Sequence, residues 1–311
     1  MSRAVPDVGR SHVPLDLDPA ALSRRPVWYR QRLWRTLRRG SGLFNVGFLL
    51  LVVFAAATAP WITDRDPTFG EPAKRLRPPA WQEAGSPAHL LGTDQLGRDV
   101  YTRLVYGARI SLAVGLGTVL ISAVLGSALG LMAGYFEGRL GTGLMRLADV
   151  QLAFPFLLLA LAVVAAVGAG LLNVILILGI AGWATFARVV RAQVLSVKQR
   201  EYVEAVRAIG AGQPTIVARH VVPNVLTPVI VLATATVANN IVVEASLTFL
   251  GLGVQPTIPS WGSMLTDARD YLAVAWWMGI FPGLALMLTV LAINLLGDWL
   301  RDYLDPTLRN A

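Results

Sequence analysis

Charged residues leave four long stretches of this chain untouched. Residues 40–63, 110–136, 150–187 and 271–297 hold 24, 27, 38 and 27 consecutive uncharged positions. A fifth apolar stretch runs from Pro223 to about Leu247 and is interrupted only by Glu244. About 20 apolar residues suffice for a helix to cross some 30 Å of hydrocarbon, so 38 is too long for one crossing. Gly168-Ala169-Gly170 and Asn173 break that stretch into two spans joined by a tight turn. The pattern predicts an all-α integral membrane protein with six transmembrane helices. A first helix at 42–63 is followed by a loop over 64–106, a five-helix core over 107–300 and an outer loop at 248–274. Polar tails occupy 1–41 and 301–311.

Within the spans, Gly126, Gly130, Gly134 and Gly138 recur every fourth residue, a row that lets a second backbone approach closely. Pro155, Pro228 and Pro282 fall in the third, fifth and sixth spans, where each removes a backbone hydrogen bond and permits a kink. Trp61, Trp276, Trp277 and Trp299 fall near predicted span ends, as an aromatic belt does. Glu244 is the one carboxylate inside a predicted span. Intramembrane acids mark pathways or gates, or are hydrogen-bonded structural acids. Asn239 and Asn240, one turn earlier, are its nearest polar company.

Composition agrees: 55% apolar, 15% charged, mean hydropathy +0.57. The net charge of +8 suits a membrane surface better than nucleic acid in so apolar a chain. No cleavable leader is expected in the Arg-rich first 42 residues. With both termini inside, the inner segments hold 19 Lys and Arg and the outer segments 8, which favours cytoplasmic termini. The chain contains no Cys, no G-x-x-x-x-G-K-[ST] phosphate loop, no H-E-x-x-H and no G-x-S-x-G elbow. Its histidines, His12, His89 and His220, are scattered. No catalytic residue, metal site or cofactor site is expected here; uphill transport on ATP would need another chain to hydrolyse it.

One polar island interrupts the apolar half. Residues 195–209 are predicted to form an amphipathic helix with Tyr202, Val206 and Ile209 on one face and local charge pairing among Glu201, Glu204 and Arg207. Gly210 suits a C-cap, Pro214 the first turn of a second helix, and Pro223 is expected to end that helix before the fifth span. The unit is a helical hairpin tied to a span at each end.

Glu204-Ala205, then Gly210, then Pro223 at 195–223 resemble the EAA loop of ABC-importer permeases, with Val206, His220 and Val222 departing from its Ala, Ile and Leu positions. Gly92-Thr93-Asp94-Gln95-Leu96-Gly97-Arg98-Asp99 resembles the GTDxLGRD signature of the dipeptide/oligopeptide/nickel permeases, "C" subunit. Glu244-Ala-Ser-Leu-Thr-Phe-Leu-Gly251 and Pro259-Ser-Trp261-Gly262 are similar to that subunit's outer-loop signature. The resemblance covers about 42–305. It implies a type I permease in a bacterial cytoplasmic membrane. It also implies a homologous second permease subunit, two cytoplasmic ATPase subunits that bind the ATP and Mg, and an extracytoplasmic substrate-binding protein. Glu201, Glu204, Ala205, Arg207, Ala208, Gly210, Ala211 and Pro223 would then carry the ATPase contact. Peptides are the implied cargo, with nickel or another small solute as alternatives. An ion-gradient carrier would instead place charges at the midplane of several spans; a purely structural membrane protein would not need the hairpin.

Overall fold

The computed structural model describes residues 40–304; the tail expected at 1–41 and the end of the one at 301–311 lie outside that range apart from their inner edges. Eleven α-helices occupy the described chain: α1 (Gly40–Ile62), α2 (Val100–Tyr135), α3 (Arg139–Leu152), α4 (Phe156–Val167), α5 (Leu171–Ala181), α6 (Trp183–Lys198), α7 (Glu201–Ala208), α8 (Gln213–Ile216), α9 (Val222–Phe249), α10 (Trp261–Ala268) and α11 (Trp277–Leu304). By length and apolarity, segments at 45–62, 100–135, 171–198, 213–249 and 277–304 can each cross a membrane; α3 and α4 make a sixth only as a pair bent by 88°.

The third expected span departs furthest from expectation. Pro155 lacks an N–H and its ring disfavours helical geometry at Phe154, so the chain turns at residues 153–155. The α4 rod beyond has 12 residues, about 18 Å, short of a bilayer's hydrocarbon. The second span also begins earlier than its charge-free limit suggests. Helix α2 starts at Val100, capped by Asp99, whose carboxylate accepts from the Thr102 N–H at 2.9 Å. It carries Arg103 inside the protein because two carboxylates neutralise it. α5 and α6 run on as one span past Arg188, which pairs with Asp149 at 2.7 Å.

The glycine row works as a contact surface between α2 and α6. A Cβ at Gly126 would lie 2.4 Å from the Trp183 carbonyl, at Gly130 2.5 Å from that of Ala187, and at Gly134 2.8 Å from the Val194 side chain. Gly138 is not part of the row. It lies beyond the end of α2 with φ +93° and nothing near it. Pro228 and Pro282 sit inside continuous helices. Trp61 is 86% exposed, as a belt residue is, whereas Trp277 is buried and donates its indole N–H to the Thr93 carbonyl at 3.1 Å. Trp277 therefore belongs to the core, because its polar edge finds a protein partner rather than the interface.

One apolar core joins spans and short helices: Phe186, Val190 and Val194 of α6 meet Val203 of α7, Ile216 of α8 and Val225 of α9. The loop over 64–99, the turn at 168–170 and the segment 250–276 gather at one end of the bundle, held by the Gly170 N–H to the Gly253 carbonyl at 3.1 Å and by Arg98 to Asp267. The hairpin at 199–212 lies at the other, where Lys198 meets Glu137 at 2.8 Å.

Gly130→Ala is expected to cost about 1–3 kcal/mol, since the new methyl forces α2 and α6 apart. Gly143→Ala, in α3 with open space around it, is expected to stabilise by up to about 1 kcal/mol through helix propensity. Unfolding of the purified protein in detergent measures both.

Candidate functional site

The hairpin is built around one buried side chain. Val203 is the only fully buried residue of α7, with Val206 packed beside it against the core. The expected helix over 195–209 is thus two: residues 195–198 finish α6, and the chain restarts at Glu201. That shift of start changes the buried face. Val203, not Ile209, faces inward; Ile209 is 84% exposed and Tyr202 40%. Glu201, Glu204, Ala205, Arg207 and Ala208 are exposed too, and no ion pair among the described residues links the three charged ones.

The tip of the hairpin is a Schellman turn. The Gly210 N–H donates to the Arg207 carbonyl at 3.1 Å and the Ala211 N–H to the Val206 carbonyl at 3.2 Å. Gly210 has φ +87° with open space around it, so glycine is required by conformation rather than by room. Pro214 sits in the first turn of α8, as expected. Pro223 does not end the helix. Residues Val217–Val221 form a π-turn that leads directly into α9. A widened turn relieves the clash between a proline ring and the carbonyl four residues back. Asn224 braces the joint, donating to the His220 carbonyl at 2.7 Å and to the Tyr202 hydroxyl at 3.2 Å. From Gln213 to Phe249 the hairpin and the fifth span are therefore one rod.

The opposite end holds a buried lattice of charge. Asp94 accepts from Arg98 Nε at 2.6 Å and from Arg103 Nη1 at 2.5 Å. Both arginines also donate to Asp267 of α10, each at 2.8 Å. Two cations and two carboxylates neutralise one another and fasten the loop, α2 and α10 together. Gly92 and Gly97, with φ +82° and +75°, fold the motif back so that Asp94 also accepts from the Arg98 N–H at 2.9 Å. The Thr93 hydroxyl accepts from the Arg77 N–H at 2.9 Å. Asp99 does not join Arg98. It caps α2 and takes a 2.9 Å hydrogen bond from His89, with Arg65 3.8 Å away. Sequence reasoning singled out Asp94 and Arg98 but missed Asp267, which lies 169 residues from Arg98 without any local mark of partnership. Of the carboxylates in this loop, Asp66 and Glu71 ionise below the usual range, the first through the Thr68 hydroxyl and the second through Lys74.

Glu244 is wholly buried between these ends, and its partners are hydroxyls. Thr248 Oγ1 and Ser260 Oγ donate to Oε1 at 2.9 and 3.1 Å, and Ser111 Oγ to Oε2 at 3.5 Å. Each hydroxyl in turn accepts a backbone N–H: Val254 to Thr248 at 3.1 Å, Ser263 to Ser260 at 3.1 Å and Trp261 to Ser111 at 3.4 Å. The amides direct three O–H bonds at one carboxylate, joining α9, α2 and the start of α10. Asn240 looks elsewhere, donating to the Thr118 hydroxyl at 2.8 Å.

Breaking the lattice by Asp267→Ala leaves two buried guanidinium groups sharing Asp94. The expected loss is about 3–5 kcal/mol, as for other uncompensated buried charges. Asp270→Ala, at an exposed carboxylate nearby, should stay within about 0.5 kcal/mol. Chemical unfolding of the two variants in detergent checks the contrast.

Comparison with known proteins agrees with this architecture. The profile of the family described as "Binding-protein-dependent transport system inner membrane component" matches residues 126–310. The di/tripeptide transport system permease protein DppC of Pseudomonas aeruginosa is 46% identical over 94% of this chain and 96% of its own. The dipeptide permease DppC of Escherichia coli K12 is 46% identical over 91% and 95%. The glutathione transport system permease protein GsiD of Pectobacterium atrosepticum is 43% identical over 93% and 94%. Among solved structures, the inward-facing MetNI methionine ABC transporter superposes with a TM-score of 0.55 at 21% identity, covering 65% of this chain and 96% of that one, and so shares the fold. With its hairpin, its bent third span and these relatives, the chain belongs to the family of binding-protein-dependent transport system inner membrane components.

Proposed function

We propose that this permease subunit serves an ATP-driven importer of di- and oligopeptides, forming half of a translocation pathway with a homologous second permease. The hairpin carries this reading. It exposes Tyr202, Ala208 and Ile209 on a helix whose far side is fixed to the core through Val203, and α8 continues into α9 with no flexible joint. A partner that grips α7 moves the fourth and fifth spans together. Two cytoplasmic ATPase subunits, binding ATP and Mg themselves, supply that motion. Glu201, Glu204, Ala205, Arg207, Ala208, Gly210 and Ala211 form or shape the docking tip, and Pro223 anchors it to the span. The excess of Lys and Arg on the hairpin's side supports a cytoplasmic hairpin and cytoplasmic termini. The charge lattice, with Gly92, Thr93, Asp94, Gly97, Arg98 and Asp99, then faces outward, where a substrate-binding protein docks on the loop it stabilises. Glu244 holds the outer segment 250–263 to α9 and α2, so rod motion reaches the outer gate through it.

The cargo reading rests on the relatives' names: di- and tripeptide, dipeptide, and glutathione, itself a small peptide. Alternating access between two packed states is the mechanism this geometry suits.

In the native complex, Ala208→Cys is expected to crosslink to a cysteine placed in the ATPase's docking cleft, on a background free of native cysteines in this chain. Ala211→Cys, packed beside the core, should crosslink less. Uptake of labelled dipeptide by reconstituted complex should vanish with an ATPase-dead partner; uptake that persists sinks the reading. Gly210→Val, which strains a left-handed backbone by about 1–2 kcal/mol, is expected to lower transport per ATP hydrolysed.

A further inference from the structure

A cavity of about 810 Å³ opens beside the hairpin, between the end of α2, the end of α6 and α8. Its walls are of two kinds. Leu131, Met132, Phe136 and Val217 make it mainly apolar, while Lys198 and Arg207 reach it from two different helices. The apolar side does not stop at the cavity. Exposed Leu116, Leu120, Val124 and Met132 follow one another along α2 at four- and eight-residue steps and run into it, ending at Phe136, which is 60% exposed. α2 is 36 residues long, about 54 Å, so its last turn emerges near the membrane–water boundary rather than deep in hydrocarbon.

The charged side is positive on balance. Lys198 Nζ donates to Glu137 at 2.8 Å and to the Tyr135 carbonyl at 3.2 Å, and lies 5.3 Å from the Tyr135 ring. No acid is among the cavity's lining residues, and Lys198 followed by Arg191 holds the Glu137 carboxyl below the usual range. Arg207 has no ion pair among the described residues, the Arg191 Nε is buried with no hydrogen bond, and the buried Tyr135 hydroxyl of the cavity wall also lacks a partner. Lys198 and Arg207 line the cavity and Arg191 lies behind it, acting with Lys198 on Glu137, beside an apolar channel that continues onto the exposed apolar surface of α2.

We infer that this cavity is a binding site for an anionic phospholipid, with the headgroup phosphate between Lys198 and Arg207 and an acyl chain along the α2 stripe. A soluble anion has no use for the apolar walls, and a zwitterionic lipid brings an ammonium group into a positive site. Basic pockets between membrane helices at the cytoplasmic side select acidic headgroups for these reasons. Occupancy fastens α2 to α7, so the lipid acts as a brace on the hairpin. The orientation assumed for the boundary is that of the proposed function; binding itself does not depend on peptide cargo.

The test uses the intact complex with its ATPases, in nanodiscs of phosphatidylcholine doped with phosphatidylglycerol. After extraction, native mass spectrometry counts retained lipid. Phosphatidylglycerol is expected to be retained over phosphatidylcholine, falling about fivefold for each charge lost in Lys198→Gln and Arg207→Gln. The pair Arg139→Gln and Arg146→Gln, which removes as much charge from exposed positions on α3, should change nothing. R207Q breaks no ion pair within the chain, so its loss of lipid is not a loss of fold. Because Arg207 also belongs to the proposed docking tip, the same spectra are expected to show both ATPases retained, and lipid lost only together with an ATPase overturns the site. Equal retention in R207Q and the native complex overturns the site, as does equal retention of phosphatidylcholine. Displacement by free glycerol phosphate as effective as by whole lipid would show a plain anion site, and a crosslink from Met132→Cys to an ATPase would show a protein occupant; either result also overturns it.

Discussion

The burial of Arg103 is the constraint on which the loop end of the bundle depends. A guanidinium cannot lose its proton at any ordinary pH, so a helix that carries one into the bundle must bring anions to meet it. Asp94 and Asp267 do so from opposite directions in the chain. To reach Arg103, the loop before α2 has to fold back through two left-handed glycines, and α10 has to lie across the top of the bundle. The path of the extramembrane chain is thus dictated by one charge. Such lattices contribute little net stability compared with an apolar core. What they supply is a single permitted arrangement, because every other one leaves a charge bare.

From that lattice a continuous set of contacts runs through the molecule. α10 begins at Ser260, whose hydroxyl meets Glu244; Glu244 sits on α9; α9 passes through the π-turn into α8 and the hairpin. The glycine row clamps α2 to α6, the other span that leads to the hairpin. Neither end of the bundle can shift without loading polar contacts that have only one satisfied geometry. A protein interior of this kind moves between discrete packings rather than deforming smoothly.

Much of this was legible in the residues, and the failures have physical causes. The apolar stretches located the crossing segments because hydrocarbon tolerates few bare charges; the same rule misplaced the start of α2, since the helix carries Arg109 on its exposed surface and Arg103 neutralised inside the protein. The glycine spacing revealed a packing face except at Gly138, where the helix had already ended. Gly210 and Pro214 were readable because capping is local. The bend at Pro155 was placed correctly, but its 88° magnitude depends on what α3 and α4 pack against. Likewise Pro223 looked like a stop, because the compensating π-turn is a property of neighbouring backbone and leaves no residue signature. The Asp267 partnership and the hydroxyl ring around Glu244 join segments far apart in sequence, and pairings of that sort become visible only once the chain is folded.

The π-turn has a consequence for angular register. A five-residue repeat admits one residue more than an α-turn, and in a helix each residue advances the azimuth by about 100°. The side chains of α9 therefore point about 100° away from where an uninterrupted helix growing out of α8 would aim them. Glu244 faces Ser111 and Ser260 only because of that offset. In a chain of the same length with an unbroken α-helix through 217–221, the rod would still be straight and apolar, yet its carboxylate would face the wrong wall. The π-turn thus separates length from aim: one residue deleted at 217–221 would let an α-turn replace it and leave Glu244 pointing at the same hydroxyls.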